Sequence, residues 1–171
     1  VRSDIIASGV IFTLDTDSGF RDVVIVTGIY GLGENIVQGR ADPDEFYVHK
    51  PTFKNGHRAV LRRTLGEKQV RMCYARGKIT TTVNRPVPMA LRQRLCLKDD
   101  DVLALAGYAI AIEEHYSALG GRATPMDIEW AKDGEDGTLY IVQARPETVV
   151  SQCAAGTLKT YVLKGKQPAI V

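Results

Sequence analysis

The sequence lacks most features that would assign a function at once. It has no apolar run near the length that spans a bilayer, and its first residues lack the basic-then-apolar order of a signal peptide. The net charge is only +2 over 171 residues, so neither a basic nucleic-acid-binding field nor an acidic disordered tail is indicated. We therefore expect a cytoplasmic protein with one sizeable core and neither nucleic-acid nor membrane partners.

Cysteine and histidine are also scarce. The three cysteines, Cys73, Cys96 and Cys153, lie far apart, and an odd number fits a reducing compartment better than a disulfide framework. His49 and His57 lie in polar, turn-rich sequence without acidic or cysteine partners at ligand spacing. We assign no metal site to any of these residues.

Strand patterns dominate the chain. Residues 23–27 form a continuous β-branched run that is typical of a strand buried on both faces. Further strands are predicted at 1–6, 45–50, 59–65, 69–74 and 78–83. Together with one long helix and a C-terminal hairpin, this pattern predicts an α+β fold with a mostly antiparallel sheet.

The long helix is predicted over residues 99–116, with an aspartate capping its first turn. Its apolar residues recur every three or four positions and should form the buried stripe: Val102, Leu105, Ala106, Ala109, Ile110 and Ile112. Glu113 and Glu114 are then predicted on the solvent side. Residues 117–124 are predicted to be a loop whose path is open.

Residues 126–147 read as two strands around an Asp/Gly-rich turn. If Lys132 lies opposite Thr138, an apolar set shares the core face: Ile128, Trp130, Tyr140 and Val142. The other face then carries a polar set, with Leu139 and Ile141 nearer the turn: Asp127, Glu129, Gln143 and Arg145.

This polar face suits a metal-bound phosphate. Glu129 and the side-chain oxygen of Gln143 are ligands of the kind that Mg²⁺ prefers. Arg145 could bind phosphate oxygens with both arms of its guanidinium and stabilise a phosphoryl group as it leaves. The alternative is a solvated strand face with one cross-strand ion pair, which is the commoner case for an arbitrary hairpin.

Several motifs in a fixed order resemble the ATP-binding domain of the phosphoenolpyruvate synthase family. They are SGVIFTLDTDSGF at 8–20, YGLGENIVQG at 30–39, DPDEFYVHKPT at 42–52, DIEWAKDG at 127–134 and LYIVQARPET at 139–148. The wider family includes pyruvate phosphate dikinase and rifampin phosphotransferase, and its nucleotide domains are of the ATP-grasp type. The resemblance covers most of residues 1–150.

The resemblance implies ATP and Mg²⁺ as cofactors. It makes Glu129 and Gln143 metal-binding, gives Arg145 a catalytic contact with the ATP phosphates, and places Glu34 against the nucleotide. From the residues alone, the glycine-rich stretch at 28–39 is equally well explained as a tight turn.

The resemblance also implies a longer parent protein. Residues 1–150 would be the C-terminal part of the nucleotide domain, and 151–171 a linker and the start of a next module. A preceding subdomain and a phosphohistidine domain would complete the parent, which we expect to be a homodimer. We expect this chain alone to be inactive.

Two alternatives stay open. Another member of the wider family, such as pyruvate phosphate dikinase, would share the motifs. A non-enzymatic module could instead bind an anion such as RNA through a basic cluster, although a solvated outer sheet face is the commoner explanation of such a cluster: Arg58, Arg62, Arg63, Lys68 and Arg71.

Overall fold

The computed structural model of the chain describes residues 1–75 and 78–149, with the backbone alone at 78–80. A 3-10 helix, Ser3–Ile5, is followed by β1 (Ala7–Phe12), β2 (Val23–Tyr30), α1 (Glu34–Val37), β3 (Asp44–His49), α2 (Lys50–Lys54), β4 (Val60–Thr64), β5 (Val70–Ala75), β6 (Lys78–Pro86), α3 (Met89–Arg92), α4 (Asp99–Gly120), β7 (Met126–Lys132) and β8 (Leu139–Pro146). The predicted linker at 151–171 lies outside the described residues. No helix in the described part is long and apolar enough to cross a membrane.

Six strands form one sheet in the order β4-β3-β2-β1-β7-β8, and every neighbouring pair is antiparallel. β5 and β6 form a separate antiparallel hairpin. β2 lies inside the larger sheet, and its first seven residues are buried, as its β-branched run predicts. The α+β fold with one long helix and a C-terminal hairpin is therefore confirmed.

Helix α4 packs against one face of the six-stranded sheet. Its predicted stripe is buried at Val102, Leu105, Ala106, Ala109 and Ile110, and Ile112 is partly buried. These side chains share the core with residues from the interior strands: Ile11, Val24, Val26, Phe46, Val48, Ile128 and Trp130. Since α4 covers this face, a binding site on the sheet has to lie on the other one.

The strand predicted at 78–83 continues to Pro86, and the strands predicted at 45–50, 59–65 and 69–74 differ from those bounds by one residue at each end. Two further predictions are wrong by more. Residues 1–6 are not a strand, because the Ile6 N–H donates to Ser3 O and closes a 3-10 turn, so that strand β1 begins at Ala7. Helix α4 continues beyond Tyr116 to Gly120, and it ends where Gly121 adopts φ 63°. Residues 117–120 of the predicted loop are therefore helical.

Glu113 does not face solvent as predicted. Its carboxylate lies 2.6 Å from Lys50 Nζ, which also donates to Thr13 O, and both side chains are largely buried. Burial lowers the pKa of Lys50, and the hydrogen bond to Glu113 opposes that shift. This ion pair joins the start of α2 to α4.

Lys68, predicted to belong to a solvated basic cluster, is fully buried with its partner Asp44. Asp44 accepts hydrogen bonds from the Lys68 ammonium, from the Gly66 N–H at 2.9 Å and from the Cys96 N–H at 2.7 Å. Lys68 Nζ also donates to Gly66 O. The Asp44 carboxylate thereby holds the loop that contains Gly66 and the loop that contains Cys96 against β3.

Asp44→Asn should lower the free energy of unfolding by about 3–5 kcal/mol, because it leaves the Lys68 charge buried without a counter-ion. Urea denaturation measures the loss. The matched control is Asp100→Asn, which removes an exposed ion pair with Arg58 and should cost less than about 1 kcal/mol. Equal losses for the two variants would contradict a structural role of the buried pair.

Candidate functional site

The β7–β8 hairpin brings the predicted polar residues together. Glu129 lies directly opposite Gln143, and Asp127 lies directly opposite Arg145. Residues that face each other across antiparallel strands point to the same side of the sheet. The prediction that these four side chains share one face is therefore confirmed.

The predicted pairing near the turn is wrong by one residue. Trp130 lies opposite Ile141 and Lys132 opposite Leu139, with the register shift falling between Glu129 and Trp130. The strand β8 accordingly carries one extra residue, a β-bulge, which reverses its alternation. Ile141 packs on the core, while Tyr140 and Val142 are 41% and 59% exposed.

Trp130 fixes β7 against its neighbours on the core side. Its indole Nε1 donates to Thr27 O at 3.0 Å, across a space that two glycines leave open. A Cβ at Gly9 would lie 1.9 Å from Thr27 O and 2.9 Å from Trp130 Nε1, and one at Gly28 would lie 3.2 Å from Trp130 Cζ2. Glu129, the residue before Trp130, is thereby directed to the opposite face.

Glu34 reaches the same part of the molecule from helix α1. Glu34 and Glu129 line one hollow of about 370 Å³, whose wall also includes Gly33, Val37 and Val142. Two contacts hold the segment in place. Ser8 Oγ of β1 donates to Gly31 O at 2.6 Å, and Asn35 Nδ2 donates to Asn84 Oδ1 of β6 at 2.9 Å.

Arg145 lines an adjacent hollow of about 470 Å³ together with Asp127. Its Nε and Nη2 donate to Asp127 Oδ2 at 2.9 and 2.7 Å, while the arginine side chain stays 65% exposed. The hydrogen bond to Asp127, followed by the charge of that carboxylate, raises the pKa of Arg145. The guanidinium is thus permanently charged, aligned and accessible.

Asp127 had no role in the sequence prediction beyond its place on the polar face. The sequence signal that could have found Asp127 is its position two residues before Glu129, on the strand face predicted to carry Arg145, whereas the direct pairing with Arg145 is visible only in the structure. The structure thus contains the cross-strand ion pair that the alternative of a solvated strand face also predicts.

The oxygen donors at Glu129 and Gln143 fit a magnesium ion. They are neighbours across the two strands and offer a carboxylate and an amide oxygen. Within residues 1–75 and 78–149, no group of three or more histidine, cysteine, aspartate or glutamate side chains could hold a metal. A pair of protein oxygens is what Mg²⁺ uses when phosphates and water supply its remaining ligands.

Residues 1–163 match the family described as "Pyruvate phosphate dikinase, AMP/ATP-binding domain". The chain belongs to this family. Among curated relatives it is 51% identical over 164 residues to a phosphoenolpyruvate synthase of Synechocystis, and 54% over 175 residues to one of Pseudomonas aeruginosa. These matches cover 96% and 100% of this chain but only 20% and 21% of the relatives. The chain thus spans about one fifth of their length.

A third phosphoenolpyruvate synthase gives the same result. The chain is 56% identical over 175 residues to the one from Neisseria meningitidis, with 99% of this chain and 21% of the relative covered. The family resemblance predicted from the motifs is confirmed. The individual roles of Glu34, Glu129, Gln143 and Arg145 stay predictions.

Gly9→Ala should displace Trp130, because the added methyl group collides with Thr27 O and with the indole. We expect a loss of about 1–3 kcal/mol in unfolding free energy and a red-shifted emission from this single tryptophan. Fluorescence-detected urea denaturation measures both.

Gly120→Ala is the matched control, since a Cβ there would make only an ordinary contact, 3.6 Å from Thr124 Oγ1. An unchanged emission spectrum and stability in Gly9→Ala would contradict the packing described for Trp130.

Proposed function

We propose that residues 1–150 form the C-terminal part of an ATP-grasp nucleotide domain, and that the open face of the β7–β8 hairpin binds ATP with Mg²⁺. The observation that carries the proposal is the pairing of Glu129 with Gln143 next to the pair Asp127 and Arg145, all on one face. Family membership supports the nucleotide, and the oxygen donor set supports the metal.

Each side chain has a distinct role in this proposal. Glu129 and Gln143 hold Mg²⁺, which would neutralise charge on the nucleotide phosphates. Arg145 contacts phosphate oxygens through a guanidinium that Asp127 keeps in position. Glu34 borders the hollow beside Glu129 and faces the nucleotide. The face therefore acts by positioning and by charge stabilisation.

We further propose that the chain supplies the ATP side of a phosphoenolpyruvate synthase. In that reaction ATP, pyruvate and water give phosphoenolpyruvate, AMP and phosphate by way of a phosphohistidine. The histidine domain and the cations of a preceding subdomain would come from other parts of a longer protein. The relatives named above are all synthases, which favours this reaction over that of pyruvate phosphate dikinase. A cytoplasmic location and a homodimeric parent stay predictions.

The basic cluster gives little support to the RNA-binding alternative. Arg58 pairs with Asp100 at 2.8 Å, Arg63 pairs with Asp99 at 2.5 Å, and Lys68 is buried against Asp44. Arg62 lies over the ring of Tyr47, 5.3 Å from its centroid. Four of the five cations of the cluster are therefore paired, buried or stacked, and such cations do not form the continuous basic surface that a polyanion requires.

Calorimetric titration with MgATP tests the proposal. We expect weak binding to the 171-residue chain, and a loss of about tenfold or more in affinity in Glu129→Ala and in Arg145→Ala. The matched controls, Glu114→Ala and Arg58→Ala, alter exposed residues away from the hairpin and should bind as the wild type does. Undiminished binding after both site substitutions would contradict the proposal.

Repeating the titration with ATP and EDTA distinguishes the proposed metal-binding role of Glu129 from the proposed phosphate-binding role of Arg145. Arg145→Ala should still weaken binding, because the guanidinium acts on the phosphates directly. Glu129→Ala should have no such effect, because without the metal a carboxylate can only repel the nucleotide. Equal losses for Glu129→Ala with and without Mg²⁺ would show that Glu129 does not act through a metal.

A further inference from the structure

A second group of cations lies on the β5–β6 hairpin and lines a hollow that shares no lining residue with the two hollows of the β7–β8 face. Arg71 of β5 lies directly opposite Arg85 of β6. Like charges directly opposite each other across an antiparallel pair are destabilising. A negatively charged group beside Arg71 and Arg85 would offset their mutual repulsion.

Neither guanidinium is neutralised in the described part of the chain. Arg71 Nε is fully buried and has no hydrogen-bond partner there. No ion pair of Arg71 or Arg85 occurs among residues 1–75 and 78–149, although the other cations of the basic cluster are paired or stacked. A partly buried guanidinium without a counter-ion is costly, so an anion in the hollow beside Arg71 and Arg85 would stabilise the hairpin through their charges.

The two arginines border a hollow of about 410 Å³, which is lined by Asp4, Ile5, Arg71, Cys73, Tyr74 and Arg85. The carboxylate of Asp4 is already paired with Arg2 at 2.8 Å, so it does not neutralise the arginines. Cys73 Sγ donates to Asp4 O at 3.3 Å and holds this side of the hairpin against the 3-10 helix. The hollow is therefore positively charged, and the 3-10 helix forms part of its wall.

We propose that Arg71 and Arg85 form a second anion site, which takes a phosphate group. A phosphate has enough acceptor oxygens in a tetrahedral arrangement to serve two guanidinium groups at once, whereas a single carboxylate suits one. The group could be inorganic phosphate or the phosphate of a nucleotide, and the chemistry of recognition is the same. The site is independent of Glu129, Gln143 and Arg145.

The test is a titration of the full 171-residue chain with sodium phosphate at constant ionic strength and without Mg²⁺, followed in the NMR signal of the Arg71 Nε–H group. We expect a saturable shift of that signal. Arg85→Gln should weaken the apparent affinity about tenfold or more. Arg94→Gln, which removes the same charge from another exposed arginine, is the matched control and should leave the affinity unchanged.

A parallel titration with AMP identifies the source of the phosphate. Tighter binding of AMP than of phosphate supports a nucleotide ligand, and tighter binding of phosphate supports the free ion. The proposal is overturned if the Arg71 signal does not respond up to tens of millimolar, or if Arg85→Gln and Arg94→Gln respond alike. Glu129→Ala should respond to phosphate as the wild type does. Loss of MgATP binding in that variant would therefore leave the phosphate site at Arg71 and Arg85 unaffected.

Two measurements of melting temperature exclude the explanation that Arg85→Gln binds phosphate weakly only because the variant is less stable. Arg85 is exposed, and Arg85→Gln relieves a like-charge contact, so its melting temperature without phosphate should be no lower than that of the wild type. Phosphate should raise the melting temperature of the wild type more than that of the variant. Equal increases in both proteins would contradict a site at this position.

Discussion

The pairing of β7 with β1 on one side and with β8 on the other is the constraint on which the candidate site depends. β1 places Val10 opposite Glu129 and Phe12 opposite Asp127, while β8 adds Gln143 and Arg145 on the same face. A slip of one residue would turn the carboxylates into the core beneath α4. Trp130 opposes such a slip, because its indole fits only where Gly9 and Gly28 leave space.

Two kinds of ion pair in the described part of the chain serve different purposes. Lys68 with Asp44 and Lys50 with Glu113 are buried pairs that fasten loops and helices to the sheet. Arg145 is held by Asp127 yet remains exposed, so its hydrogen bond aligns the guanidinium without enclosing it. The buried pairs are fully engaged within the protein, whereas the exposed pair leaves a cation available to a ligand.

The period-two pattern was sufficient to predict which polar residues share the hairpin face. It could not predict the bulge, because one inserted residue leaves no mark in the local composition and yet reverses the faces of Tyr140, Ile141 and Val142. The central strand was predictable from its continuous β-branched run, and the stripe of α4 from apolar residues that recur every three or four positions.

The burial of Lys68 and Glu113 could not be predicted, because their partners lie far away in the sequence. Asp44 is 24 positions from Lys68, and Lys50 is 63 positions from Glu113. The role of Glu34 is a prediction from the family motif, and only the fold shows that α1 reaches the hollow beside Glu129. Local pattern thus predicted strand faces, whereas the partners of buried charges required the tertiary structure.

We propose that Glu129 and Gln143 hold the metal of a bound metal–nucleotide complex. Adding MnATP to the ¹⁵N-labelled chain tests it most directly, because paramagnetic Mn²⁺ broadens the signals of nearby nuclei. We expect the strongest broadening at Glu129, Gln143 and their strand neighbours, and its loss in Glu129→Ala. Broadening centred instead on the aspartates that begin α4, at Asp99, Asp100 and Asp101, would contradict a metal site at Glu129 and Gln143.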